Sequence, residues 1–308
     1  MTTIMKLSQY YAYLETRNPL TCWEVSIGRV IAPEHNDPNS IGISLWGYNR
    51  IFNLAKNSQI NGYYLLRECQ LEWVRQKFFP HKCSRFIGAF FFKTLDDAHI
   101  GIDRWGLKSR LHDQVCKINF ISNRDPTIVD SNFITYCLNG HELKWMFDYW
   151  SGKAYPKDNP IWEIITTGIG HIDANPQTEL LRQEAYQRMI KRFPKCQLIH
   201  KICQIGFSLG FDTVGRVAPF VQILPDSPIV KGKLMIDLRL WKDDFFIKTI
   251  KPSLKRHKLP PLPDDGSFGT LPDFSSYFFE INLENMSRDV QKLFGYKTKN
   301  KKFNPLRD

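Results

Sequence analysis

Residues 67–106, RECQLEWVRQKFFPHKCSRFIGAFFFKTLDDAHIGIDRWG, carry the reading on which the fold turns. They divide into a helix, a loop, a buried strand and a second, capped helix. On a helical wheel of Leu66 to Phe79, Leu71, Val74 and Phe78 form one apolar stripe and Leu66, Cys69 and Trp73 another. Glu68, Glu72, Arg75 and Gln76 remain as a narrow polar face, so the helix is expected to be buried over most of its surface. Arg67 falls inside the first stripe at the N-terminal end, where desolvation and the helix dipole both disfavour a cation. It therefore requires a partner.

Pro80 stops this helix, and Phe86 to Phe92 (FIGAFFF) is the short aromatic run expected of a strand covered on both faces. Between them Lys82-Cys83-Ser84-Arg85 carries a hydroxyl and a cation into that strand. Two alternatives stand for this loop: Ser84 caps a local turn and Arg85 is solvated, or both line a site. Thr94 with Asp97 three residues on reads as a helix start, and Ala98, Ile102 and Trp105 follow at helical spacing.

Toward the N-terminus, Met1 to Arg17 reads as a short amphipathic lead-in and Leu20 to Ser26 as the first strand. Gly28 then turns the chain into a second extended piece, Val30 to Pro33. Glu34 to Ser44 is turn-rich and reads as a surface loop, before a helix over Tyr48 to Lys56. Toward the C-terminus, Val115 to Ile121 and Thr127 to Leu138 read as strands, and His141 to Trp150 as a helix ended by Gly152. Asn175-Pro176 supplies an N-cap and a first-turn proline for a helix to Phe193; another spans Gln197 to Phe207. Strands are expected at Arg216 to Leu224 and Lys233 to Trp241, then long loops and a partly disordered tail beyond Pro252.

Glu163 stands out as a lone carboxylate in the apolar run Ile161 to Ile165. It either points outward from a half-buried strand or inward for a purpose. In the second case it needs a cation or a hydrogen-bond donor, because an unpaired buried carboxylate is costly.

At 308 residues and 43% apolar, the chain can bury one large core or two modest ones. No apolar run is long enough to span a bilayer, and the first residues lack the apolar centre of a signal peptide, so neither a membrane span nor classical secretion is expected. The seven cysteines are dispersed and never form C-x-x-C, and the eight histidines are scattered without H-E-x-x-H; neither a disulfide framework nor a metal site is expected. The net charge of +11 gathers near the C-terminus, at Lys248, Lys251, Lys255, Arg256 and Lys258 and again at Lys297 to Arg307. Such clusters suit an acidic surface or simple solvation. Without a nucleic-acid recognition module, nucleic-acid binding is not the expected use.

In order along the chain, Trp23 to Ser26, Arg67, Glu68, Glu72, Arg75, Phe79-Pro80, Ser84-Arg85, Phe90 to Thr94, Asp97-Ala98, Tyr149-Trp150, Gly152 and Glu163 follow a recurring pattern. That pattern resembles a family of bacterial ADP-ribosyltransferase-like domains related to the rifampin-modifying and poly-ADP-ribose-polymerase-type transferase fold. It covers roughly Leu20 to Ile172. The resemblance implies an α+β fold with a split antiparallel β-sheet, flanking helices and an additional C-terminal α/β region. It further implies an NAD-binding core at residues 1–175 and a lid or target-recognition region with a basic tail at 176–308. NAD is then the substrate and no metal takes part; Glu163 is the catalytic carboxylate, and Trp23, Arg67, Ser84, Arg85 and Thr94 bind NAD. Trp23 and Glu24 stand where relatives carry Tyr and His, which shifts ribose binding toward Arg67 or Arg85. No Glu-x-Glu pair is present, so the acceptor chemistry of arginine-modifying toxins does not carry over.

Charge composition and the unshared second half are similar to those of bacterial effectors injected into host cells, Legionella ADP-ribosyltransferase effectors among them. This implies a toxin-like mono-ADP-ribosyltransferase, cytoplasmic or injected into a host. Its protein acceptor would be a host metabolic dehydrogenase such as glutamate dehydrogenase. The alternative reading is a non-catalytic basic module binding nucleic acid or an acidic surface, with Arg67 and Arg85 in structural ion pairs with Glu68 and Glu72.

Overall fold

A computed structural model describes residues 6–32, 43–56, 58–107, 109–122, 124–138, 143–223, 227–260, 270–285, 288 and 291. The first half runs β1 (Lys6–Tyr13), α1 (Pro19–Ile27), β2 (Arg29–Ala32), α2 (Leu45–Lys56), α3 (Ser58–Phe78), β3 (Ala89–Phe92), α4 (Leu95–Arg104), β4 (Val115–Ser122), β5 (Thr127–Asp130), α5 (Asn132–Cys137) and α6 (Lys144–Trp150). It continues through β6 (Trp162–Thr166), β7 (Gly168–Ile172), α7 (Pro176–Arg192), α8 (Gln197–Ser208), β8 (Val217–Ile223), β9 (Ile229–Ile236), α9 (Asp244–Arg256) and β10 (Phe279–Asn282).

The protein is α+β. Among the described residues, seven strands form one antiparallel sheet in the order β2-β7-β4-β1-β3-β6-β5, and three form a second in the order β10-β9-β8. The large sheet is thin in the middle. Strand β1 pairs with β4 along its whole length, Lys6↔Ser122 to Tyr13↔Val115, but meets β3 at the single pair Tyr11↔Phe92. Two ladders, β2-β7-β4-β1 and β3-β6-β5, therefore join at a narrow seam. Strand β3 is short because Thr94, one residue beyond Lys93, turns the chain into α4 by accepting the Asp97 N–H at 3.1 Å.

Several sequence expectations change in the structure. Leu20 to Ser26 is helix, not strand: Asn18 accepts the Leu20 N–H at 2.9 Å, Pro19 opens the first turn, and Gly28 closes the helix at φ 109°, a left-handed conformation suited to glycine. Helix α1 is buried on nearly every side, which erases the amphipathic period that would have marked it. The first strand lies instead in the supposed lead-in, where KLSQYYAY forms β1 at the centre of the sheet. The wheel of α3 is inverted in part: Glu68 and Glu72 are buried, whereas Trp73 and Phe78 are 43% and 46% exposed. Thr127 to Leu138 is a strand followed by a helix, β9 stops at Ile236, and α9 continues through Pro252 to Arg256. Residues 34–42 of the supposed surface loop, Pro33 before it and 292–308 of the tail lie outside the described residues.

Other readings hold. Helices α2, α4, α7 and α8 and strands β4 and β6 lie where the patterns place them to within a few residues, and Gly152 ends α6 at φ 77°. Asn175 is the N-cap of α7, as the sequence marks it, and bonds reciprocally with Thr178. Past it, Leu181, Ala185 and Met189 of α7, Cys203 of α8, Val217 of β8 and Phe246 of α9 join the same buried cluster as Leu20, Trp23 and Tyr48. Among the described residues no helix is long and apolar enough to cross a membrane. Because the core is shared, a chain ending at Asn175 should lose the cooperative thermal transition of the full chain. Circular-dichroism melts of the two check this, and a sharp transition in the short chain would refute the shared core.

Candidate functional site

Glu163 lies on β6 opposite Phe92 of β3 and Val129 of β5. It is 7% exposed, so of the two alternatives for this residue the inward one holds. Its carboxyl lines a cavity of about 370 Å³ beside the seam of the large sheet. Tyr13 at the end of β1, Trp46 on α2, Phe90 and Phe92 on β3 and Trp105 after α4 give this cavity aromatic walls; Arg50, Arg85, Ser131 and Thr135 contribute its other polar groups. Planar rings with a few convergent polar groups are what a heteroaromatic ligand requires.

Four buried polar side chains meet behind that cavity. Arg85 donates from Nε to Glu68 Oε2 at 3.1 Å and from Nη2 to Glu68 Oε1 at 3.5 Å. Its Nη1 donates to the Tyr149 hydroxyl at 2.7 Å and stands 3.9 Å from Glu163 Oε2. Arg50 reaches Glu68 from the other side and is itself partly exposed. Burial pushes the Glu68 carboxyl up, but Arg50 and Arg85 outweigh it and hold the group below the usual glutamate range. At Glu163 the balance reverses. Burial pushes its carboxyl up, and Arg85 and Arg50, both already committed to Glu68, oppose this only in part. The guanidinium of Arg85 remains charged, since its carboxylate and phenol neighbours overcome the effect of burial.

The loop that delivers Arg85 is fixed at several points. Arg75 pairs with Glu72 at 2.9 Å and donates to the Lys82 carbonyl at 2.8 Å; Ser84 donates to Glu72 Oε2 at 2.8 Å and accepts the Phe86 N–H at 3.1 Å. Cys83 N–H donates to Thr127 Oγ1 at 2.6 Å. On the opposite side the Phe86 carbonyl accepts the Ser44 N–H at 2.9 Å, and a Cβ at Gly47 would collide with that carbonyl. Helix α2 can approach so closely only with glycine there, and this approach brings Trp46 and Arg50 to the cavity.

Of the six residues singled out in the sequence, the structure brings Glu163 and Arg85 together. Ser84 is a loop clamp bonded to Glu72, and Thr94 is the exposed N-cap of α4. Arg67 is buried on α3 and donates to Gln70 at 2.9 Å, outside the cavity lining. Trp23 is fully buried in α1, where its Nε1 donates to the Gly215 carbonyl at 2.7 Å. Its placement among NAD-binding residues rested on a first strand that is a helix, and is corrected accordingly. Tyr13, Arg50, Ser131 and Thr135 of the lining, and Tyr149 behind Arg85, are the polar groups that the sequence did not single out as site residues. Tyr149 lay within the Tyr149-Trp150 pair of the resemblance; for Arg50 no local signal exists. The chain is thus an α+β protein whose sheet seam holds an aromatic-walled, arginine-flanked carboxyl. Compared with known proteins, it matches no family model and no curated protein.

Two measurements follow from the charge cluster. Arg85→Ala leaves Glu68 with Arg50 alone and is expected to cost about 2–3 kcal/mol in urea unfolding, part of which Glu68→Gln should restore in the double variant. Glu163 has a raised folded-state pKa, so its contribution to stability is full below the unfolded-state value and is lost as pH rises through the folded-state value. Thermal melts across that window should therefore show Glu163→Gln gaining on the wild type as pH increases.

Proposed function

We propose that this chain is an NAD-dependent mono-ADP-ribosyltransferase with Glu163 as its catalytic carboxylate. The observation that carries the reading is a buried carboxyl facing an aromatic-walled cavity with two arginines beside it. In the reaction the bond between nicotinamide N1 and ribose C1′ breaks and its electron pair leaves with nicotinamide. The ribosyl centre becomes cationic, and an acceptor nucleophile closes on it while giving up its proton. A preorganised carboxylate stabilises that cation, and the same group can take the acceptor's proton.

Each residue has a part that its surroundings suit. The cavity of about 370 Å³ matches a nicotinamide ring with its ribose, held between aromatic faces, with the rest of the dinucleotide outside. Arg50, with 38% of its side chain exposed, is the cation placed to meet the diphosphate; Arg85, turned to Glu68 and Tyr149, orients the site. The C-terminal region from residue 176 serves target recognition in this proposal. The protein acceptor is a host metabolic dehydrogenase such as glutamate dehydrogenase, met after delivery of the chain as an effector.

The non-catalytic reading has one observation in its favour, the ion pair of Arg85 with Glu68, which accounts for Arg85 without any ligand. Labelled NAD separates the two readings: incubation with a host-cell lysate should release nicotinamide and label protein. Glu163→Gln should lower NAD turnover by about a hundred- to a thousandfold while leaving NAD affinity nearly unchanged. Turnover at the wild-type rate by the folded variant would remove Glu163 from the mechanism. Absence of nicotinamide release by the wild type would favour the non-catalytic reading.

A further inference from the structure

Tyr149 has no direct part in the reaction just described, yet its hydroxyl contacts the Arg85 nitrogen that stands nearest Glu163. The ring is fully buried on α6, and its hydroxyl accepts from Arg85 Nη1 at 2.7 Å. That same nitrogen is the Arg85 atom nearest Glu163, yet 3.9 Å is an ionic contact beyond hydrogen-bond reach. On its other edge the guanidinium is held by both oxygens of Glu68. Its face lies over Phe90, with Cζ 5.0 Å from the ring centroid. Each edge of Arg85 is engaged, and Glu163 receives the remainder.

We infer that Tyr149 and Glu68 are positioning residues that hold the Arg85 guanidinium back from Glu163 and keep it from a direct hydrogen bond to that carboxyl. The groups facing Glu163 are few enough to name by element: Arg50 of α2, Glu68 of α3, Arg85 of the loop after α3, Asp130 of β5 and Tyr149 of α6. Two of these are cations that favour ionisation. Glu68 and Asp130 oppose it by charge, and Glu68 and Tyr149 also do so by occupying Arg85. The arrangement would set the pH at which the carboxylate becomes available to stabilise a cation or accept a proton.

The significance for catalysis rests on the ADP-ribosyl-transfer reading; the titration itself does not. The test is therefore spectroscopic: protein labelled with ¹³C at glutamate carboxyls is titrated by NMR, and the Glu163 signal is assigned by its loss in Glu163→Gln. In Tyr149→Phe the ring is retained and Nη1 is released toward Glu163, so the Glu163 midpoint should fall by about one pH unit or more. Glu68→Gln, which frees both arginines, should move it the same way and serves as a second measure should either variant lose its fold. An unchanged or raised midpoint in a folded variant overturns the inference. A lowered midpoint sustains it, and if NAD turnover is present its acidic limb should move with the NMR midpoint. A lowered midpoint in a protein that never consumes NAD would sustain the tuning network while refuting the proposed reaction.

Discussion

A carboxylate as deeply buried as Glu68 is stable only if cations come to it, and here they come from two different segments. Arg50 approaches from α2 and Arg85 from the loop after α3, so one acidic side chain on α3 fixes both neighbours by charge. This constraint explains why the polar face of α3 turns inward and leaves Trp73 and Phe78 at the surface. Glu72 repeats the device one turn on, with Arg75 and Ser84 as its partners. Once Arg85 is committed to Glu68, Glu163 is left incompletely compensated. Burial then pushes its carboxyl up, with Arg85 and Arg50 opposing only in part.

The sheet creates the space that this charge cluster faces. Strands β1 and β3 pair only at Tyr11↔Phe92, and Tyr13, two residues beyond on β1, lines the cavity together with Phe92. An opening arises where the two ladders part, and five aromatic residues are among those that line it. Backbone groups at such a parting would need partners, which favours placing it at a strand end. Thr94 supplies that end by starting α4.

A second buried ion pair ties the later elements to the first. Arg29 of β2, fully buried, pairs with Glu24 of α1 at 2.6 Å and donates to the carbonyls of Asp212 and Val214. Glu24 also accepts the Val217 N–H at 2.6 Å, at the start of β8. With the Trp23 bond to Gly215, these contacts clamp the second sheet against α1 through polar groups that have no water to turn to. The region after residue 175 is thereby packed into the same core as α1 and β2.

Where one residue type decides local geometry, the sequence was sufficient. Thr94 and Asn175 marked helix starts, Gly152 a helix end, and the lone carboxylate of IWEII marked Glu163 as a residue that, if buried, needs a cation; the loop Ser84-Arg85 was legible for the same reason, polar groups entering an apolar strand. Helix α1 was not legible, because burial on all sides leaves no 3.6-residue period to read, and β1 was missed with it. Nor could the wheel of α3 show which polar residues turn inward. That depended on Arg50 and Arg85, which lie 18 and 17 positions from Glu68 and become its neighbours only after the chain has folded. Spacing along a helix records local periodicity alone. The pairing of Arg85 with Glu68 and Tyr149, and the proton affinity of Glu163 that results, were decided by tertiary structure because electrostatic energy depends on distances that sequence does not contain.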